Sequence, residues 1–167
     1  FGKCKKYDKA STYEEVALGK SLDSEHKTIV TDSGELSTWR RASKAGDLFG
    51  STLYRIVQTP GGNEFTYGWL PAGFYRAKAR LWGRGYEEFF ISELQAEPWF
   101  TDSNPWNTPV EVQEETMNIE RLAKHFDYVE RVGASRAYLW GVEWWYFMKE
   151  YKADRRYWEA VKEKMAK

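Results

Sequence analysis

Residues 88–93 read Glu88-Phe89-Phe90-Ile91-Ser92-Glu93, and this stretch decides the fold. Consecutive apolar and aromatic residues of high β propensity, with no turn former among them, describe a strand over 88–92 buried on both faces. Strands of that kind belong to parallel sheets. Working outward, three further runs share the character: 28–31 (Thr28-Ile29-Val30-Thr31), 51–55 (Ser51-Thr52-Leu53-Tyr54-Arg55, approached through 47–50) and 137–140 (Ala137-Tyr138-Leu139-Trp140). The segments between them are helical in pattern. Residues 11–22 open with Ser11 or Thr12 as a cap and carry Glu14 and Glu15 in the first turn, where acids suit the helix dipole. Residues 36–44 and 74–82 follow, the latter closed by Gly83 and Gly85. Residues 114–132 set Met117, Leu122, Phe126 and Val129 on one face before Gly133, and 157–167 close the chain. The strongest loop signal is Thr59-Pro60-Gly61-Gly62-Asn63. Alternating helices and apolar strands predict an α/β fold: one domain of βα units, TIM-barrel-like or doubly wound, with parallel strands whose carboxyl ends lie on one side. In such sheets chemistry collects at those ends.

Composition narrows the chemistry. The chain has 167 residues with 25 basic and 25 acidic side chains, so its formal net charge is +0 and no basic excess exists to neutralise nucleic acid or an anionic membrane. No apolar run approaches the roughly 18 residues of a spanning helix. Cys4 is the single cysteine and His26 and His125 the only histidines, which excludes an internal disulfide and a zinc site built on several thiolates. The unusual quantity is aromatic: 17%, with nine tryptophans, more than a core of this size needs. Flat amphipathic rings stack on sugar faces and also serve protein interfaces. The chain begins at Phe1 without a signal-like segment, which leaves it either processed or part of something longer.

At the strand ends stand Asp32 and Glu35, Tyr54 and Arg55, Glu93 and Glu97, and Trp140, Glu143, Trp144 and Trp145, with Trp99 close after Glu97. Paired carboxylates beside tryptophans are what glycosidic hydrolysis requires, one acid to protonate the leaving oxygen and one carboxylate to attack or activate water. Glu93 follows the strand with no intervening turn residue and so stands at its mouth. Glu97, before Pro98, reads as a loop residue, and Glu143 as either a pocket acid or a helix-start acid. Tyr54 is either a core phenol or a donor that holds a neighbouring carboxylate ionised. His125 reads as a packing or surface residue of its helix.

The order of TIVTDSGELSTW (28–39), LFGSTLYRIV (48–57), FFISELQAEPW (89–99) and AYLWGVEWWYF (137–147) resembles the second half of a cellulase-like (β/α)8 glycoside hydrolase of the retaining clan. The resemblance runs over about residues 11–165 and makes the four strands the last four of the barrel. It implies that Glu93 is the nucleophile, that Tyr54 is the tyrosine bonded to it, and that Trp140 forms the floor of the sugar site. The family's Asn-Glu acid/base would precede Phe1. Asn63-Glu64 has the letters but sits in a turn after the wrong strand and reads as coincidence. A closed barrel typically needs about 250 residues, so the expectation is the C-terminal half of a longer enzyme, or a half-barrel that self-associates or pairs with a missing N-terminal half.

The function expected is therefore retaining hydrolysis of a β-linked polysaccharide or oligosaccharide. Trp140, Trp144, Trp145 and Trp99 stack on sugar, and Glu143, Glu97, Arg55, Asp32 and Glu35 line the site. Two carboxylates suffice for this chemistry, so no cofactor or metal is implied. The partner is a carbohydrate substrate, with no nucleic acid and no membrane segment, and the resemblance alone implies an extracytoplasmic setting. The competing reading is a non-catalytic carbohydrate-binding or interaction module with an aromatic-rich face.

Overall fold

The computed structural model describes residues 10–59, 63–100 and 104–166. Cys4 and most of the 59–63 loop therefore lie outside the described residues. Four strands, β1 (Ile29–Asp32), β2 (Leu48–Leu53), β5 (Phe89–Gln95) and β6 (Ala137–Trp140), form one sheet in the order β1-β2-β5-β6 with every neighbouring pair parallel. A hairpin of β3 (Ile56–Gln58) and β4 (Glu64–Thr66) is inserted after β2. The helices are α1 (Ser11–Leu22), α2 (Ala42–Ala45), α3 (Gly73–Leu81), α4 (Val110–Thr116), α5 (Ile119–Val132), α6 (Val142–Tyr151) and α7 (Arg156–Met165). Parallel strands need long crossovers, and α3 and α5 supply them between β2 and β5 and between β5 and β6. The chain is thus an α/β protein with a four-stranded parallel sheet. Among the described residues, no helix is long and apolar enough to cross a membrane.

One face of the sheet carries the core. Phe49 and Leu53 of β2, and Phe89, Ile91 and Leu94 of β5, are buried together with Tyr75 and Ala79 of α3 and Leu122, Phe126 and Val132 of α5. Trp39, fully buried, closes one end against Phe49 and Phe89, with ring centroids 5.1 and 5.6 Å away. Its indole N–H, which burial obliges to find a partner, donates to the Ser33 carbonyl at 2.7 Å. The alternate residues of the strands define the opposite face. A Cβ on Gly50 would come within 3.0 Å of the Phe90 ring and of Thr31 Cγ2, and Phe90 packs edge-on against Tyr138. On this second face Ile29, Tyr138 and Trp140 stay about half exposed.

Several expected boundaries move, each for a local reason. β2 begins at Leu48, which pairs with Ile29, and ends at Leu53, so Tyr54 and Arg55 lie just beyond it. β5 continues through Gln95, which puts Glu93 inside the strand. The helix expected over 36–44 is reduced to α2, because Trp39 takes a left-handed backbone with φ 65°. The 114–132 helix breaks at Met117, which is extended, and Asn118 caps α5 by accepting from the Arg121 N–H at 2.9 Å. Ala10, not Ser11 or Thr12, precedes α1, and no side chain caps it. The aromatic run after Gly141 forms α6, and the hairpin replaces a simple loop.

Candidate active site

A register shift places Glu93. Ile91 pairs with Ser51 and Glu93 with the next residue, Thr52, so Ser92 is an extra residue, a bulge in β5. Phe89 and Ile91 face the core, and strict alternation would send Glu93 there as well. The bulge moves the parity by one, so that Leu94 returns to the core and Glu93 shares the open face with Thr52. A buried carboxylate in the helical layer is thereby avoided.

Tyr54 follows core-facing Leu53 and turns to the same open side, where its hydroxyl donates to Glu93 Oε2 at 2.8 Å. Burial, and next the bonded Glu93 carboxylate, push the phenol well above its ordinary range, with Glu97 and Glu35 adding to the effect. Tyr54 therefore remains a donor throughout neutral and mildly alkaline pH. Its backbone is fixed from below by Gln95, whose Oε1 accepts from the Arg55 and Ile56 N–H groups, each at 3.0 Å, while its Nε2 donates to the Ile56 carbonyl at 2.7 Å. Glu35 also approaches here. Its carboxylate accepts from the Tyr75 hydroxyl, and burial raises its pKa.

Next to this pair is a pocket of about 300 Å³ lined by Tyr54, Glu97, Pro98, Trp99, Phe100 and Trp140. Trp99 meets Tyr54 edge-on at 5.4 Å. Trp140, 50% exposed, directs its indole N–H to Glu97 Oε1 at 2.8 Å. Burial raises the Glu97 pKa, the Trp140 bond offsets part of that, and the nearby Glu143 charge adds to the rise. The close approach depends on Gly141, with φ 145°, where a Cβ would fall 2.7 Å from the Ala96 carbonyl oxygen and 3.0 Å from Glu97 Cβ.

The structure thus gathers Glu93, Tyr54, Glu97, Trp99 and Trp140, with Glu35 behind them and Glu143 at the edge as a first-turn residue of α6. Trp140 bonds Glu97 rather than reaching Glu93. Other expectations need correction. Trp144 and Trp145 cannot stack on a ligand, because α6 turns them into the core, where they are 1% and 5% exposed and donate to Gln113 Oε1 and the Ala96 carbonyl. Arg55 follows Tyr54 and so points the other way, its guanidinium 3.8 Å from the Tyr128 ring on the helical side. Asp32 holds the turn after β1, accepting from the Ser33 N–H and the Ser37 hydroxyl. Asn63-Glu64 leads into β4, where Glu64 pairs with Arg121 at 3.3 Å. His125 is buried, with Nδ1 2.8 Å from the Gln95 carbonyl oxygen. Gln95, the Ser92 bulge and Phe100 escaped the sequence reading, and only Gln95, a long polar residue inside an apolar strand, leaves a visible trace there.

Fold and site together define an α/β protein of parallel βα units with carboxylates and indoles at the carboxyl ends of its strands. No family model matches the sequence, and no curated protein matches it. Among solved structures it is similar to the crystal structure of an FMN-binding beta-glucuronidase from Facaelibacterium prausnitzii L2-6, with a TM-score of 0.48 and 16% identity. The match covers 83% of this chain and 20% of that one, so the chain spans about a fifth of that protein's length.

Proposed function

We propose that this chain is the C-terminal part of a (β/α)8 retaining O-glycoside hydrolase of the cellulase-like kind, acting on a β-linked polysaccharide or oligosaccharide. The observation that carries the reading is the 2.8 Å bond from Tyr54 to Glu93 at the open mouth of a parallel sheet, beside the indoles of Trp99 and Trp140. In this reading the four strands are the fifth to eighth of the barrel, and the open face of the sheet belongs to its interior. The Glu93 carboxylate attacks the anomeric carbon as the glycosidic C–O bond breaks. A second carboxyl, about 5–5.5 Å from Glu93 in a retaining enzyme, protonates the departing oxygen and then takes a proton from the water that releases the sugar. The resemblance matches that second carboxyl to no residue of this chain. Tyr54 keeps Glu93 aimed and ionised, Trp99 and Trp140 offer flat faces to sugar rings, and Glu97 accepts from sugar hydroxyls.

The test, made on the complete enzyme, is a fluorinated glycoside that traps the glycosyl–enzyme intermediate, followed by peptide mass spectrometry. The label is expected on Glu93, and Glu93→Gln should abolish both label and turnover with unchanged circular dichroism. A label on Glu97 or Glu143 would move the role to that residue. The aromatic pocket also suits a carbohydrate-binding module. In that case Glu93→Gln keeps full saccharide affinity and nothing is labelled.

A further inference from the structure

On the opposite side of the sheet from Glu93, a concavity of about 950 Å³ opens between the hairpin, the start of α3 and the length of α5 from Asn118 to Arg131. Among the described residues, five cations line it, Arg55, Arg76, Arg121, Lys124 and Arg131, against the single acid Glu120. The chain has no net charge, so this cluster is a local segregation of charge. Two of the five are neutralised in place, Lys124 by Glu120 at 2.6 Å and Arg121 by Glu64 at 3.3 Å. Arg55, Arg76 and Arg131 form no ion pair among the described residues. Arg55 is 8% exposed, and its Nη1 is buried without any hydrogen-bond partner. The Glu35 carboxylate and the Tyr128 ring, 3.8 Å away, compensate the Arg55 charge only from a distance. A buried cation without a close ion pair is costly, and a ligand charge would complete its compensation.

The backbone adds to the field. Parallel βα units bring helix N-termini to this end of the sheet, and those of α3 and α5 both border the concavity. Asn118 already caps α5, but α3 has no side-chain cap and no acid in its first turn. A Cβ at Gly73 would meet nothing within 4 Å, so the uncapped turn is open to the cavity. The Phe74 N–H is taken by the Pro71 carbonyl at 3.0 Å, but the dipole at such a terminus still favours an anion.

We propose that this concavity binds a phosphate or sulfate monoester of a small molecule, its oxyanion held by Arg55, Arg76, Arg131 and the α3 N-terminus. Three cations without an ion pair favour a doubly charged group over a single carboxylate. The volume exceeds what a bare ion fills and matches that of a small-molecule site. The site is independent of the Glu93 reading, because Tyr54 and Arg55 diverge to opposite sides of the sheet.

Isothermal titration calorimetry at constant ionic strength tests the proposal with inorganic phosphate, glucose 6-phosphate, glucose and glucuronate as probes. Glucose 6-phosphate should bind more tightly than inorganic phosphate, and glucose should not bind. Arg76→Gln and Arg131→Gln, both at exposed positions, should each weaken the ester at least tenfold, whereas Lys27→Gln should not. Arg55→Met should abolish binding if circular dichroism shows it folded, and the two exposed variants decide the matter if it is not. Equal affinity for inorganic phosphate and the ester would retain the oxyanion site and identify the free ion as its source. Binding that survives both exposed substitutions, or glucuronate binding as tightly as the ester, overturns the proposal.

Discussion

The Tyr54 hydroxyl donates a 2.8 Å hydrogen bond to Glu93 Oε2, joining residues 39 positions apart across the mouths of β2 and β5. The bond exists because a bulge at Ser92 turns Glu93 away from the core and because Leu53, one residue earlier, faces it. Two independent parity requirements meet in one contact.

Removing the donor alone should weaken chemistry more than binding. A hydrogen bond to a charged group contributes about 1.5–3 kcal/mol, so Tyr54→Phe should lower kcat by roughly 10- to 100-fold with KM little changed. In ultraviolet titration the same variant should lose one tyrosinate transition at strongly alkaline pH, because Glu93 and burial push the Tyr54 phenol upward. An unchanged kcat would remove Tyr54 from the mechanism.

Gln95 is a positioning residue for Tyr54. Gln95→Leu would leave the buried Arg55 and Ile56 N–H groups and the Ile56 carbonyl unpaired, at about 1–3 kcal/mol for each group. Urea unfolding should show a loss of about 3 kcal/mol or more, and turnover should fall in the fraction that remains folded. Gln95→Glu, which keeps the acceptor for both N–H groups, should restore part of the turnover. Full activity in Gln95→Leu would show that Tyr54 needs no such support.

The tryptophans should divide into two classes. Trp144 is buried against Tyr157, ring centroids 4.3 Å apart, and its indole bonds Gln113, so Trp144→Ala should cost about 3–5 kcal/mol of stability without changing the KM of the folded protein. Trp140 is half exposed. Trp140→Ala should leave the unfolding midpoint nearly unchanged and raise KM several-fold, as loss of a ring contact of about 0.5–1.5 kcal/mol implies. Reversed effects would exchange the assignments.

The parallel sheet was legible because its four strands are short apolar runs bounded by turn formers, a signal carried by adjacent residues. Tyr54 and Glu93 were legible as residues near the carboxyl ends of those strands for the same reason, although β2 stops one residue before Tyr54 and β5 runs two residues past Glu93. The bulge was not, since one extra residue in Ile91-Ser92-Glu93-Leu94 alters no composition and is revealed only by pairing with β2. Trp144 and Trp145 were misread because an aromatic run after a strand looks the same whether it lines a mouth or starts a buried helix, and only the packing of α6 on α7 distinguishes the two. The α3 and α5 cavity was hidden by arithmetic. Equal totals of acid and base conceal where the unpaired arginines gather.

His125 links the buried network to pH. Burial lowers its pKa from 6.5 to about 4; the bond to the Gln95 carbonyl is the next largest effect and opposes this, and the Arg55 and Arg121 charges add smaller lowering contributions. The ring is therefore neutral in the folded protein, with Nδ1–H donating to Gln95 at 2.8 Å. An unfolded chain takes up the proton near 6.5, so between that pH and about 4 the unfolded state binds more protons than the folded one, and stability rises with pH across the window. The contribution is complete above 6.5 and is lost as pH falls toward 4, at about 1.4 kcal/mol per pH unit. The whole effect amounts to about 3 kcal/mol. Glu35 and Glu97, whose pKa values are raised, act in the opposite sense and lose stability as pH rises through their titration. The comparison of wild type with His125→Gln cancels their share. Urea unfolding at several pH values should show the wild-type slope through this window to be steeper than that of His125→Gln by about one proton, with the two proteins differing most above 6.5. Parallel slopes would mean that the imidazole is protonated in the folded state and that its bond to Gln95 does not depend on the neutral ring.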